Sequence, residues 1–122
     1  NPEIYVNTTE IIKIIKKSLD NLSKPEKRLL LLYWGAGMNT SQILTIIKTD
    51  RKISKLDKLK IKSEKDIYSN ITKIIKNINQ YIEDKHSKFY NTNNLNGKSI
   101  KSAVIVYLEN FEKSKNTVPL TI

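Results

Sequence analysis

Five polar side chains fall on one side of the stretch 64–86: Lys65, Asp66, Ser69, Asn70 and Lys73. The other side carries Ile67, Ile71, Ile74, Ile78 and Tyr81, spaced by fours and threes, with Ile75 and Ile82 widening the stripe. That spacing predicts an amphipathic helix over 64–86 with a polar, basic outer face. Such a face has the chemistry of major-groove readout. An Asn amide pairs bidentately with adenine, and a Lys ammonium reaches guanine or a phosphate. Tyr68 lies near the boundary of the face, where it could touch a nucleic-acid backbone. The competing interpretations are a solvated helix face for the polar residues, and a packed core or a homodimer seam for the stripe.

Catalytic chemistry is poorly supplied. The single histidine, His86, follows Glu83, Asp84 and Lys85 at the expected end of that helix, where a cation interacts well with the helix dipole. The acid-x-Lys at 83–85 lacks an upstream acidic partner and sits on a helix. No glycine-rich phosphate loop, Ser-His-Asp set or paired catalytic carboxylates can be nominated. With no cysteine, disulfides and thiolate zinc sites are excluded. The expectation is a non-enzyme without a cofactor or metal.

The 122 residues carry a net charge of +10, and Lys outnumbers Arg twenty to two. Half of the net charge lies in 48–65, where eight Lys/Arg face three acids. Lys48, Arg51, Lys52, Lys55, Lys58, Lys60 and Lys62 are candidate phosphate contacts, acting through counterion release. A chain this basic attracts polyanions, nucleic acid ahead of an anionic membrane surface. The abundance of Lys, Ile and Asn also suits an A/T-rich genome, which supplies a purely compositional account of the charge. No apolar run approaches the roughly 20 residues of a membrane span, and no secretory signal is visible. These features predict an intracellular protein that does not enter a membrane. The absence of an initiator Met before Asn1 suggests a fragment or a processed product.

The remaining elements follow from periodicity and caps. Residues 9–22 read as a helix capped by Thr8 or Thr9, with Ile11, Ile12, Ile14, Ile15, Leu19 and Leu22 in its stripe. Ser23 and Glu26 form a capping-box pattern opening a helix over 24–34, which Gly35 and Gly37 end by permitting left-handed angles. Tyr33 and Trp34 read as core anchors beside that turn. Asn39 and Gln42 repeat the cap before a helix over 40–49, with Ile43, Leu44, Ile46 and Ile47 inward. The first turn of that helix, Thr40, Ser41 and Gln42, can donate N–H groups and hydroxyls to a phosphate. Ile53, Leu56 and Leu59 recur every three residues, compatible with a short amphipathic helix or a mobile basic loop over 50–62. Ser63 and Asp66 cap the 64–86 helix. Residues 91–98 read as a polar linker, 99–113 as a helix although AVIVY would also suit a strand, and the tail from Ser114 as extended.

From Leu22 to Leu44 the chain resembles region four of bacterial sigma factors, a DNA-binding helix-turn-helix. Gly37 takes the glycine position, Met38 the Leu, Asn39 the Ser cap, Gln42 the Glu and Ile43 the Ile. The pattern resumes at Ser63-Glu64-Lys65-Asp66-Ile67, and the resemblance covers roughly 22–50 and 62–82. Two departures stand out: the short family turn is replaced by the lysine-rich 50–62, and Leu44 stands where the family has a small Ala. The resemblance implies a transcription regulator with double-stranded DNA and RNA polymerase as partners.

The expected fold is therefore all-α, a single basic domain over 1–122 built as a small bundle of about five helices. Its helix-turn-helix core, with an extended turn, would occupy 23–86, and an accessory segment 98–122. The expected function is sequence-specific or semi-specific DNA binding for transcriptional regulation. The alternative is a helical protein–protein interaction module of a larger protein, without a nucleic-acid role.

Overall fold

The computed structural model describes the backbone of residues 2–49 and 56–121 and the side chains of 9–49 and 56–110. The chain is 82% helical, with six helices and no strand among the described residues. They are α1 (Pro2–Asp20), α2 (Lys24–Leu30), α3 (Thr40–Thr49), α4 (Glu64–Lys85), α5 (Ser87–Thr92) and α6 (Gly97–Thr121). A π-turn (Leu31–Gly35) prolongs α2, and a 3-10 turn (Asp57–Leu59) precedes α4.

Helix α4 is the central element. Ile67, Ile71, Ile74, Ile75, Ile78 and Ile82 are all buried along one stripe of a helix roughly 33 Å long. Helices α1, α2, α3, α5 and α6 all pack on it. Helix α1 contributes Ile14, Ile15 and Leu19, α2 contributes Leu29 and Leu30, and α3 contributes Ile43 and Ile47. Leu44 and Ile46 of α3 are half-buried, because Ile43 and Ile47 alone point straight at the core.

Several boundaries differ from expectation. Helix α1 begins at Pro2, well before Thr8, since proline is tolerated in a first turn. Ile12 is 47% exposed, and Ser18 takes the inward position, donating its hydroxyl to Ile15 O at 2.7 Å. Gly35 lies inside the π-turn, and Gly37 alone of the glycines adopts a positive φ, at 69°. The turn is widened: Ala36 N–H donates to Leu31 O at 2.7 Å and Met38 N–H to Leu32 O at 3.0 Å. Within 56–62, Leu56 and Ile61 are buried and flank the 3-10 turn, so this part of the basic stretch is anchored to the core. Ile53 lies outside the described residues.

Past α4, the backbone breaks at His86 and restarts as α5, an element that periodicity and caps did not predict. Buried Tyr90 ties α5 back, its hydroxyl donating to Asn79 Oδ1 at 3.0 Å. Asn96 and Ser99 then exchange hydrogen bonds of 2.9 Å and cap α6. The AVIVY run is helix: Ile100, Val104 and Leu108 are buried at four-residue spacing, whereas Val106 is 56% exposed. A strand would have put Val104 and Val106 on the same face. The tail from Ser114, expected to be extended, continues α6 to Thr121: no Gly or Pro interrupts 98–118, and Pro119 lies within the last turn.

Two stability measurements test this account. An added Cβ at Gly37 would meet nothing within 4 Å. Gly37→Ala should therefore lower stability by about 1–2 kcal/mol through backbone strain alone, with Gly37→Asn closer to wild type. Ile78→Ala, at the buried middle of α4, should lower it by about 2–5 kcal/mol. Urea unfolding of the three variants reads both effects.

Candidate nucleic-acid interface

The starts of α3 and α4 are fixed by reciprocal caps. At α3, Asn39 N–H donates to Gln42 Oε1 at 2.9 Å, and Gln42 N–H donates to Asn39 Oδ1 at 2.8 Å. At α4, Asp66 Oδ2 accepts from the N–H groups of Lys62 (2.8 Å) and Ser63 (3.1 Å), while Ser63 Oγ accepts from Asp66 N–H at 3.4 Å. These contacts satisfy N–H groups that a helix start otherwise leaves without partners.

A tertiary hydrogen bond fastens the two starts together. Thr40, only 6% exposed, donates its hydroxyl to Glu64 Oε1 at 2.5 Å. Both helices therefore open on the same side of the molecule. From there Lys65, Ser69, Lys73 and Lys76 lie exposed along the outer face of α4, with Thr72 beside them. The same face turns acidic only at Glu83 and Asp84.

The candidate base contacts separate into two groups. Lys65, Ser69 and Lys73 are exposed and project from the outer face. Asp66 and Asn70 are not free for a base: the Asp66 carboxylate caps the helix, and half-buried Asn70 donates its amide to Asp66 O at 2.8 Å. Among the candidate phosphate contacts, Ser41, Gln42, Lys48, Lys58, Lys60, Lys62 and Tyr68 are exposed. The Gln42 carbonyl is occupied by its cap. The Thr40 hydroxyl is corrected, since it is buried and donates to Glu64, which leaves only its backbone N–H for a phosphate. Arg51, Lys52 and Lys55 lie outside the described residues.

Two contributors were not among the sequence-based candidates. Lys76 follows Lys73 by three residues on the same face, so periodicity alone could have found it. Glu64 could not be singled out, because its role depends on a residue 24 positions away in the chain.

The acids do little to neutralise this surface. Asp66 caps, Glu26 accepts from Ser23, Glu64 accepts from Thr40 and Asp84 accepts from Gln80. Lys27 and Asp20, at 2.9 Å, make the one ion pair among the described residues. Exposed lysines are not confined to α4, however: Lys13, Lys16 and Lys17 stand on α1, and Lys98 and Lys101 on α6.

Catalytic groups do not converge. Glu10, His86 and Ser87 line one open groove of about 530 Å3 beside the α4–α5 break, but no hydrogen bond links the three. Among the described residues no cluster of three or more His, Asp or Glu side chains could hold a metal ion. No described helix is long and apolar enough to cross a membrane. Comparison with protein-family models, curated proteins and solved structures returns no match.

The cap at α4 predicts an acid-sensitive element. The backbone N–H of Lys62, followed by the Ser63 contacts, holds the Asp66 carboxyl below its ordinary 3.8. A carboxylate depressed in the folded state stabilises the fold fully above the unfolded value, and that stabilisation is lost as pH falls through the folded value. Asp66→Asn should therefore flatten the fall of melting temperature below about pH 4. Ser63→Ala should cost about 1 kcal/mol near neutral pH.

Proposed function

We propose that the protein binds double-stranded DNA, with the N-terminal half of α4 entering the major groove and the start of α3 resting on the backbone. The observation that carries this reading is the Thr40–Glu64 hydrogen bond, which holds two capped helix starts side by side. A recognition helix needs that arrangement: its first turns face base edges while the preceding helix meets a phosphate. Lys65, Ser69 and Lys73 are the base-facing candidates, joined by Lys76. Ser41 and the first N–H groups of α3, with Lys48, Lys58, Lys60 and Lys62, serve the phosphates. The resemblance to sigma region four extends the proposal to transcriptional regulation with RNA polymerase as a partner.

A second reading, a helical module that binds another protein, is favoured by one observation. Exposed lysines also occupy α1 and α6, as a composition-driven surface would show.

Fluorescence anisotropy with a mixed-sequence duplex at several salt concentrations separates the two. DNA binding predicts a linear fall of log affinity with log salt. Lys48→Ala with Lys58→Ala should reduce that slope by about 2, roughly 1 for each phosphate contact removed, with an unchanged melting temperature. Undetectable duplex binding at low salt would exclude the DNA reading and leave the protein-binding one.

A further inference from the structure

Tyr68 is the only exposed aromatic ring among the residues whose side chains are described, at 53% exposure in the second turn of α4. It does not project alone. Tyr33 meets it at a centroid distance of 6.4 Å and an interplanar angle of 89°, and Trp34 lies 5.5 Å behind Tyr33. Tyr33 and Trp34 are half-buried and ride on the π-turn, which packs against α3 and α6. The Tyr68 ring is thus backed by an edge-to-face contact while part of its surface stays open to solvent.

The surroundings select the kind of molecule that would cover it. Exposed Lys62 and Lys65 precede the ring in the chain, and exposed Thr72 follows it one turn later. Of the two acids in the first turn of its helix, Glu64 accepts from Thr40 and Asp66 caps the helix start. Burial raises the pKa of the Tyr33 hydroxyl, and Tyr68 adds to the effect. An aromatic ring among ammonium groups matches a nucleobase flanked by its phosphates. An apolar peptide would cover the ring and leave the lysines without counter-charges.

We propose that Tyr68 is a stacking platform for an unpaired base, so that the partner is DNA in which single-stranded nucleotides adjoin the duplex held by α4. This rests on the DNA reading of α4. Bases in an intact duplex keep their faces stacked on one another, so only an unpaired base can offer one to the ring.

Three probes test the proposal: a duplex, the same duplex with a short single-stranded overhang, and the single strand alone. Trp34 is the sole tryptophan and lies beside Tyr33, so its fluorescence reports on the platform as anisotropy reports on affinity. The overhang should improve affinity about tenfold over the intact duplex. Tyr68→Phe should keep that gain, and Tyr68→Ala should abolish it, so that the overhang and the intact duplex bind Tyr68→Ala with equal affinity. A gain that is absent in the wild type, or that survives Tyr68→Ala, overturns the stacking proposal. If Lys65→Ala with Lys73→Ala weakens every probe while Tyr68→Ala weakens none, stacking fails and the DNA reading stands. If no probe binds with salt dependence, the DNA reading fails as well.

Discussion

Helix α4 carries six buried isoleucines on one stripe, and the need to cover that stripe places every other helix. A helix with one apolar face in the middle of a small domain must recruit neighbours on several sides. Here α1, α2, α3, α5 and α6 all contribute, and the core they close is almost wholly aliphatic. Its two buried polar residues, Ser18 and Thr40, are each satisfied by a hydrogen bond. What α4 shows to solvent follows from what it hides. Once Ile67, Ile71, Ile74 and Ile78 face inward, Lys65, Ser69, Lys73 and Lys76 have nowhere else to go.

The second organising feature is the use made of acidic and amide side chains at helix starts. Ser23 with Glu26, Asn39 with Gln42, Ser63 with Asp66 and Asn96 with Ser99 each close a first turn. With 22 Lys and Arg against 12 Asp and Glu, the domain keeps a surplus of cations that no placement of its acids could cancel, and their mutual repulsion opposes compaction. Caps and the isoleucine core must outweigh that repulsion, and a polyanionic partner would relieve it. Stability and the proposed binding are linked through the same charges.

Much of this was legible locally. The stripes of α1, α3 and α4 and the boxes at Ser23, Asn39 and Ser63 depend on spacings of three and four residues, which a sequence displays directly. Ile12 misled because a run of isoleucines fits several rotations of a helix, and only packing chooses among them. The end of α4 at His86 was expected, whereas α5 was missed because six residues are too few to display a stripe. What anchors α5 is the contact from Tyr90 to Asn79, across the break. At the candidate interface, exposure of the lysines and the capping role of Asp66 were readable, whereas the commitment of Thr40 and Asn70 to internal hydrogen bonds was not. Short polar side chains near helix starts suit a ligand and their own backbone equally well, and only the folded geometry shows which they serve.

The position of α4 within the chain also governs how the domain comes into being. Helices α1, α2 and α3 precede it, and each presents an apolar face that α4 covers. On a ribosome adding about 5–20 residues per second, those faces wait for α4 over an interval of seconds. The N-terminal half is in that interval a set of helix-prone segments without a shared core, and its lysines keep separate copies apart. The nascent chain can close its core only after α4 has emerged, and α6, which packs on α1 and the π-turn, completes it later still.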